Sequence, residues 1–263
     1  MQRRTMIVGF AALGGCSPPV AAPAVPETLL FSQPASMPAY SNMNPPKGTP
    51  GITLWGSVEK FPCPPTAASS GMGEAHIVID SASIPGNVKE RNGLGSVVLG
   101  YSLQAWRKAL AFRCTYDLKV TRVEHGPKSV AQVVAYFNFR DTRNNLNLWM
   151  GQLAWDSRFG KGGEAGWDAG TNTPFFIVAS SGIGYQTYSE WRSFSFRVGS
   201  TEIANAARAL RARYSQLSMS SDMADYSLTH FNINPEIYAA SGENARIDTS
   251  IRNWRIYQQE SKV

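Results

Sequence analysis

The sequence predicts an all-β protein, an antiparallel β-sandwich with one α-helix near residues 201–217. Short segments that alternate apolar and polar residues recur along the chain, and turns containing glycine or proline separate them. Strands and helices do not alternate as a parallel α/β sheet would require. At 263 residues and 43% hydrophobic content, the chain is large enough to bury a full core.

The clearest single element is a β-hairpin over residues 130–156. Two segments rich in β-branched and aromatic residues flank the polar loop 141–144, a pattern typical of paired strands. A four-residue loop pairs Arg140 with Asn145 and gathers the apolar side chains of both strands on one face, whereas a slip of one residue would mix the faces. The predicted apolar face comprises Ala135, Phe137, Phe139, Leu146, Leu148 and Met150.

The opposite face of this hairpin carries amide, guanidinium and aromatic side chains. Rings with a polar edge suit a sugar ligand, although a solvated sheet or a buried core also accommodates them. The hairpin residues predicted to contact a ligand are Tyr136, Asn138, Arg140, Trp149 and Trp155.

A strand predicted over 226–238 adds polar residues to this picture. Its even-numbered residues, from Leu228 to Tyr238, project to one face because side chains alternate along a strand. Neighbours on that face can share a ligand, so we expect ligand contacts from His230, Asn232 and Glu236. An ordinary solvent-facing strand is the alternative interpretation.

The remaining elements follow from the same two periodicities. The helix has Ser200 as a candidate cap, Glu202 in its first turn and an apolar stripe that includes Ile203 and Leu210. A glycine-rich loop is predicted over 157–173. The other predicted strands span residues 52–58, 74–80, 96–101, 112–123, 174–180, 189–198 and 245–258.

The N-terminus has the organisation of a bacterial export signal. Two arginines precede a short apolar run, residues 6–13, which is too short to span a bilayer as a helix. The next residues, Leu13-Gly14-Gly15-Cys16, resemble a lipobox, which implies removal of the signal peptide 1–15 and lipid attachment to Cys16. Because Ser17 rather than aspartate follows, the resemblance implies an outer-membrane lipoprotein. A plain secretory signal is the alternative.

Proline concentrates between the signal and the predicted domain. Nine of the 16 prolines fall in residues 17–50, and proline favours extended, solvated chain. Residues 16–50 are therefore predicted to be a tether, with the apolar segment 29–31 able to dock on the protein. A single sandwich domain is predicted over 51–263.

The cysteines agree with an oxidising compartment. If Cys16 is lipidated, an even pair remains, and a Cys63–Cys114 disulfide is predicted. The bridge would close a loop of about 50 residues and stabilise the fold by roughly 4 kcal/mol on the chain-entropy model. Two buried free thiols are the alternative.

The charge pattern argues against a nucleic-acid binder. The formal net charge is +6, and it falls to +4 without residues 1–15, which contain two arginines and no acid. The basic residues are scattered, whereas nucleic-acid binding requires a basic stripe or patch. We therefore expect no nucleic-acid partner, and contact with a membrane through the lipid anchor only.

In outline, residues 52–258 resemble the concanavalin A-like jelly rolls found in lectins, glucanases and polysaccharide lyases. The resemblance implies a carbohydrate-binding or carbohydrate-active domain, but the Glu-x-Asp-x-x-Glu strand of the glucanases is absent. Glycoside hydrolysis needs two carboxyl groups roughly 5–10 Å apart. The acids that can meet across strands are Asp156, Asp168, Glu190, Asp225 and Glu236.

Two other kinds of chemistry deserve consideration. A polysaccharide lyase could use Tyr136, Arg140 and His230 beside a substrate carboxylate. The loop 166–173 offers oxygen ligands that calcium accepts, but it lacks the acid density of a calcium loop, so a glycine-enabled turn is expected. No metal or cofactor is predicted, and the sequence identifies no catalytic residue.

These observations predict an envelope-anchored β-sandwich that binds a polysaccharide or glycan through a polar and aromatic face. The first alternative is a glycoside hydrolase or polysaccharide lyase that uses the same cleft. The second is a non-catalytic structural protein of the envelope.

Overall fold

A computed structural model describes residues 26–40, 45–56, 67–83, 93–157, 162–168, 171–180 and 187–259. Within these ranges the chain forms 14 strands, the helix α1 (Ser200–Arg213) and short 3₁₀ turns at Ser81–Ser83 and Met223–Asp225. The strands are β1 Glu27–Ser32, β2 Ala39–Tyr40, β3 Pro50–Gly56, β4 Ala67–Gly71, β5 Glu74–Asp80, β6 Gly93–Arg107, β7 Ala111–His125, β8 Val130–Asp141, β9 Leu146–Asp156, β10 Ala165–Asp168, β11 Thr173–Ser180, β12 Tyr188–Gly199, β13 Tyr226–Ala239 and β14 Ala245–Gln259.

The strands form two sheets that pack on each other as a sandwich. The eight-stranded sheet has the order β10-β11-β9-β8-β13-β6-β3-β2, and the six-stranded sheet has the order β12-β7-β14-β5-β4, with β1 also paired to β14. Among these described strands, β2–β3 and β9–β11 pair in parallel and the other pairs are antiparallel. The predicted fold class, an antiparallel sandwich with one long helix, is confirmed.

Aromatic side chains fill the space between the sheets. Trp254 of β14 is fully buried, and its ring centroid lies 5.4 Å from that of Phe231 on β13 in the facing sheet. Phe137 of β8 is also fully buried and lies 5.0 Å from Phe196 of β12. Because burying one such ring contributes about 1.5–3 kcal/mol, these contacts hold the sheets together.

The sandwich begins earlier than the sequence suggests. Strand β1 lies in the segment predicted to be a tether, and Phe31 is 7% exposed with its ring 4.9 Å from that of Trp254. Strand β2 lies in that segment too and pairs with β3. The predicted start of the domain at residue 51 is therefore corrected: the described part of the sandwich already includes β1, which begins at Glu27. The prolines did not prevent this, since edge strands tolerate flanking proline.

The central hairpin forms as predicted but with a different register. Arg140 pairs with Asn147 instead of Asn145. Strand β8 ends at Asp141, and β9 begins at Leu146. Asn145 takes a positive φ of 56° in the loop, a conformation that asparagine tolerates. The register differs by two residues, and side chains alternate with a period of two, so the predicted faces are preserved near the loop, up to Ala135 and Met150.

Helix α1 differs from its prediction at both ends. Its N-cap is Gly199 rather than Ser200, and Glu202 in the first turn accepts a hydrogen bond from the Gly199 N–H at 2.8 Å. The helix ends at Arg213 rather than 217. Its buried residues are Ile203, Ala206, Ala207 and Leu210, which pack toward β10, β11 and β12.

Cys114 is a free thiol in the core, 2% exposed, and burial raises its pKa far above the ordinary range. The structure therefore gives no support to the predicted Cys63–Cys114 bridge; Cys63 lies outside the described residues. The signal peptide and Cys16 also lie outside them. No helix in the described part of the chain is long and apolar enough to cross a membrane.

Candidate functional site

A cavity of about 240 Å³ opens on the face of the eight-stranded sheet that points away from the core. Side chains from β8, β9 and β13 form its floor, and β10 and β11 form one side. Six of the eight predicted ligand-binding residues line it: Tyr136, Asn138, Trp149, His230, Asn232 and Glu236.

Strand pairing explains why these residues meet. In the antiparallel pair β8–β13, Tyr136 lies opposite Asn232 and Asn138 lies opposite His230. Because side chains alternate along each strand, every second residue of both strands points into the cavity while the residues between them enter the core. Side chains at facing positions are close enough to interact.

Five side chains of the cavity lining form a continuous chain of hydrogen bonds, here called the amide ladder: Gln132, Asn138, Asn232, Asn234 and Glu236. Asn138 Nδ2 donates to Asn232 Oδ1 at 2.6 Å, and Asn232 Nδ2 donates to Asn234 Oδ1 at 2.7 Å. Glu236 accepts from Asn234 Nδ2 at 3.3 Å and from Gln132 Nε2 at 2.7 Å. The ladder fixes the orientation of each side chain, and each amide has further donor and acceptor capacity.

Apolar side chains cover the other half of the floor. Val134, Leu153 and Ile177 are buried although they face away from the main core, and Tyr136 and Phe175 pack against them. The floor therefore has a polar side on β8 and β13 and an apolar side toward β9 and β11.

The ring of Tyr136 depends on a glycine in the neighbouring strand. It lies over Gly151 of β9, where a Cβ atom would come within 2.6 Å of the ring. The ring centroid of Tyr136 is 5.6 Å from that of Trp149, with the planes tilted by 46°. Gly151 thus allows the two aromatic residues to share one side of the cavity.

Strand β10 brings two acids to the cavity, Glu164 just before it and Asp168 at its end. Helix α1 and the residue after it hold this strand in place: the Arg213 guanidinium donates to the Ala165 carbonyl, and the Tyr214 ring lies 5.8 Å from that of Trp167. The sequence predicted only a loop here, because a four-residue strand with a glycine shows no usable alternation.

Burial and nearby negative charge raise the pKa of two cavity residues, Glu236 and Tyr136. Burial raises the pKa of Glu236; hydrogen bonds from Gln132 and Asn234 oppose this rise, and the charge of Asp168 adds to it. Burial also raises the pKa of Tyr136, and the negative charges of Glu236, Asp168 and Glu164 raise it further. The carboxyl groups of Glu236, Asp168 and Glu164 therefore all affect the ionisation of the Tyr136 hydroxyl group.

Burial has the opposite effect on His230, whose pKa it lowers to about 4. The imidazole is therefore neutral at physiological pH, and its Nδ1 lies 3.0 Å from the Thr229 Oγ1.

Two of the predicted ligand-binding residues do not reach the cavity. Trp155 is 1% exposed and belongs to the core, since a β-bulge opposite Val133 and Val134 reverses the alternation of β9. Arg140 lies near the hairpin loop, where its guanidinium donates to the side chains of Asn147, at 2.9 Å, and Asn145. A second bulge next to His230 similarly turns Leu228 into the core.

The structure also sorts the candidate catalytic sets. Of the five acids considered for hydrolysis, Asp168 and Glu236 line the cavity, while Asp156, Glu190 and Asp225 do not. Of the lyase set, Tyr136 and His230 line it and Arg140 does not.

In the loop considered for calcium, Asp168 Oδ1 accepts a hydrogen bond from the Thr171 N–H at 3.0 Å. Among the described residues, no group of three or more His, Cys, Asp or Glu side chains is placed to hold a metal ion.

Comparison with known proteins does not assign the chain to a family. No family model matches the sequence, and no curated protein matches it. Among solved structures, the family 11 xylanase of Neocallimastix patriciarum is 8% identical, with 79% of this chain and 99% of that chain covered and a TM-score of 0.38. The family 12 xyloglucanase of Bacillus licheniformis is 10% identical, with 88% and 99% covered and a TM-score of 0.35. These values are too low to support an inference, so the fold and site described above rest on the chain itself.

Proposed function

We propose that the protein binds a glycan and that one sugar unit occupies the cavity on the eight-stranded sheet. The observation that carries this proposal is the amide ladder beside an apolar patch on one cavity floor. A sugar ring presents hydroxyl groups at its edge and C–H groups on its faces. Amides satisfy the hydroxyl groups in both donor and acceptor roles, and the apolar side receives the ring face.

The size of the cavity supports a small occupant. Its volume of about 240 Å³ lies below the range of roughly 300–1,000 Å³ typical of sites for drug-sized ligands. A single ring therefore fits inside, and the rest of a glycan chain extends outside. The partly exposed Trp149 beside Tyr136 offers a ring surface for that contact.

A specific observation favours hydrolysis as a second candidate function. Glu236 has a raised pKa, as a general acid needs, and the second carboxyl group of Asp168 lines the same cavity. The lyase alternative has less support, because Arg140 lies away from the cavity lining and leaves no described arginine or lysine there for a substrate carboxylate.

Location in the envelope remains a proposal from the sequence. It rests on the resemblance of residues 13–16 to a lipobox, with Cys16 as the lipidated residue of an outer-membrane lipoprotein. Glycan binding close to a membrane surface is consistent with this location. A purely structural envelope protein is the alternative if the cavity binds no glycan.

The test pairs a glycan array with two substitutions. Trp149→Ala should weaken binding of the best glycan by about 1–3 kcal/mol while the protein remains folded. Phe137→Ala, at a fully buried core position, should instead cost about 3–5 kcal/mol of stability. Unchanged glycan binding by folded Trp149→Ala, or no binding by the wild type, would contradict the proposal.

The same glycans separate a binder from a hydrolase. Release of reducing ends by the wild type, but not by Glu236→Gln, would assign the hydrolase. Binding without release would assign the binding protein.

A further inference from the structure

The cavity contains acids but no described side chain with a positive charge at physiological pH to balance them. Its described lining includes Glu164, Asp168 and Glu236, and no lysine or arginine. The neighbouring Arg140 is occupied by Asn145 and Asn147 near the hairpin loop.

The three acids differ in their capacity to accept further hydrogen bonds. Both carboxylate oxygens of Glu236 already accept from the amide ladder. Asp168 uses Oδ1 for the Thr171 N–H, which leaves Oδ2 for a ligand. Glu164 is exposed at the cavity, and its carboxylate forms no hydrogen bond or ion pair with another described residue. The β10 side therefore offers negative charge that no described lysine or arginine of the cavity lining neutralises.

Ligand entry makes this charge important. A sugar that fills the cavity displaces water from the carboxylates, and a carboxylate that loses water without gaining a partner is costly. A neutral sugar compensates only through hydroxyl groups, and a uronate or sulfated sugar adds repulsion. A ligand ammonium group compensates better than a hydroxyl group, because charge-assisted hydrogen bonds to carboxylates are about twice as strong as neutral ones.

We infer that the cavity prefers a glycan with free amino groups, such as a hexosamine polymer, and that Glu164 and Asp168 select it. This inference rests on the proposed function and names the class of ligand. The amide ladder and apolar patch bind the sugar ring, and the β10 acids receive its ammonium group. A bound metal ion is a poorer explanation of the acids, since they form no metal-holding cluster among the described residues.

Isothermal titration with three oligosaccharides of equal length tests the inference. The probes are a glucosamine oligomer, its fully N-acetylated counterpart and a galacturonate oligomer. We expect the glucosamine oligomer to bind at least about tenfold more tightly than the acetylated one, and the galacturonate oligomer to bind most weakly. The preference should shrink as ionic strength rises from about 0.05 to about 0.5 M.

The double variant Glu164→Gln/Asp168→Asn should reduce the preference to less than about threefold while binding of the acetylated oligomer persists. Glu124→Gln is the matched control, since Glu124 is an exposed acid of β7 in the other sheet, paired with Arg122. The control should keep the wild-type preference.

The outcomes distinguish the two claims. Equal binding of the glucosamine and acetylated oligomers, or tightest binding of galacturonate, overturns the inference and leaves glycan binding in place. Failure of all three probes and of every glycan on the array overturns the proposed function, and the inference with it.

Discussion

Burial shifts the ionisation of His230 and Glu236, two residues of one strand, in opposite directions. The pKa of His230 falls to about 4, whereas that of Glu236 rises. In both cases desolvation is the largest cause and favours the uncharged form. These two residues thus provide a neutral imidazole and a carboxyl group that holds its proton more tightly than usual, and both suit hydrogen bonding to the hydroxyl groups of a sugar.

The shift of His230 predicts how stability depends on pH. Its ordinary pKa of 6.5 applies to the unfolded chain, and about 4 applies to the folded protein. Between these values the unfolded state binds more protons, so stability falls as pH decreases from 6.5 to 4 and this contribution is then fully lost. Allowing for partial exposure, the wild type should lose about 2–3 kcal/mol more than His230→Gln across this window.

Urea denaturation of both proteins at a series of pH values measures this difference. Comparison with the His230→Gln variant cancels the contribution of all other titrating groups, including the two remaining histidines. Parallel stability curves for the two proteins would contradict the burial of His230 that the structure indicates.

Six of the eight residues that sequence patterns predicted for ligand binding line the cavity, but those patterns could not exclude Trp155 or include Glu164. Alternation placed Tyr136, Asn138 and Trp149 on one face, and the structure confirms that placement. Trp155 left that face because of a single bulge, which depends on tertiary packing rather than on local sequence. Glu164 reaches the cavity only because β10 pairs with β11, a pairing that has no local signal.

At the scale of elements, the β8–β9 loop depends on one buried carboxylate. Asp141 has no exposed surface, and its Oδ1 accepts from the N–H groups of Arg143 at 3.0 Å and Asn144 at 2.9 Å. Its Oδ2 accepts from Ser220 N at 2.7 Å, which ties the hairpin to the segment after α1. Burial alone would raise the pKa of Asp141, but the hydrogen bonds outweigh it and lower the pKa.

Removing this carboxylate should be costly. Asp141→Ala leaves several N–H groups without their acceptor, at about 1–3 kcal/mol for each one that stays buried, so we expect a loss of at least about 3 kcal/mol in the free energy of unfolding. Asn147→Ala, at an exposed position of the same hairpin, should change it by less than about 1 kcal/mol. Chemical denaturation of both variants provides the measurement, and equal losses would contradict the anchoring role.

Elements with strong periodicity were predictable, and elements defined by pairing were not. Strand β5 was predicted with the bounds observed, Glu74–Asp80, because its apolar residues alternate without interruption. Strand β1 was assigned to a tether because prolines surround it, yet Phe31 gains core burial once β14 is in place. The prediction extended helix α1 beyond its observed end at Arg213, because residues 214–217 contain no glycine or proline to mark a stop.

At the scale of the whole molecule, the sandwich separates stability from binding. Core residues lie between the sheets, and the cavity lies on the outer face of one sheet, so a cavity substitution need not unfold the protein. The six-stranded sheet has an outer depression of its own, lined by Thr115, Asp117, Ser193, Asn253 and Arg255 among others. Asp117 there already accepts hydrogen bonds from Ser193 and Asn253, both at 2.7 Å. This internal pairing makes it the weaker candidate for a ligand.

The most direct test of the central claim is to map where a glycan binds. Backbone amide chemical shifts of the isotope-labelled protein would be followed by NMR during titration with the tightest-binding glycan from the array. We predict that the largest changes occur at cavity residues, with Asn138, Trp149, Asn232 and Asn234 foremost. Changes concentrated at Asp117, Ser193 and Asn253 on the opposite sheet, or no localised changes at all, would contradict the account.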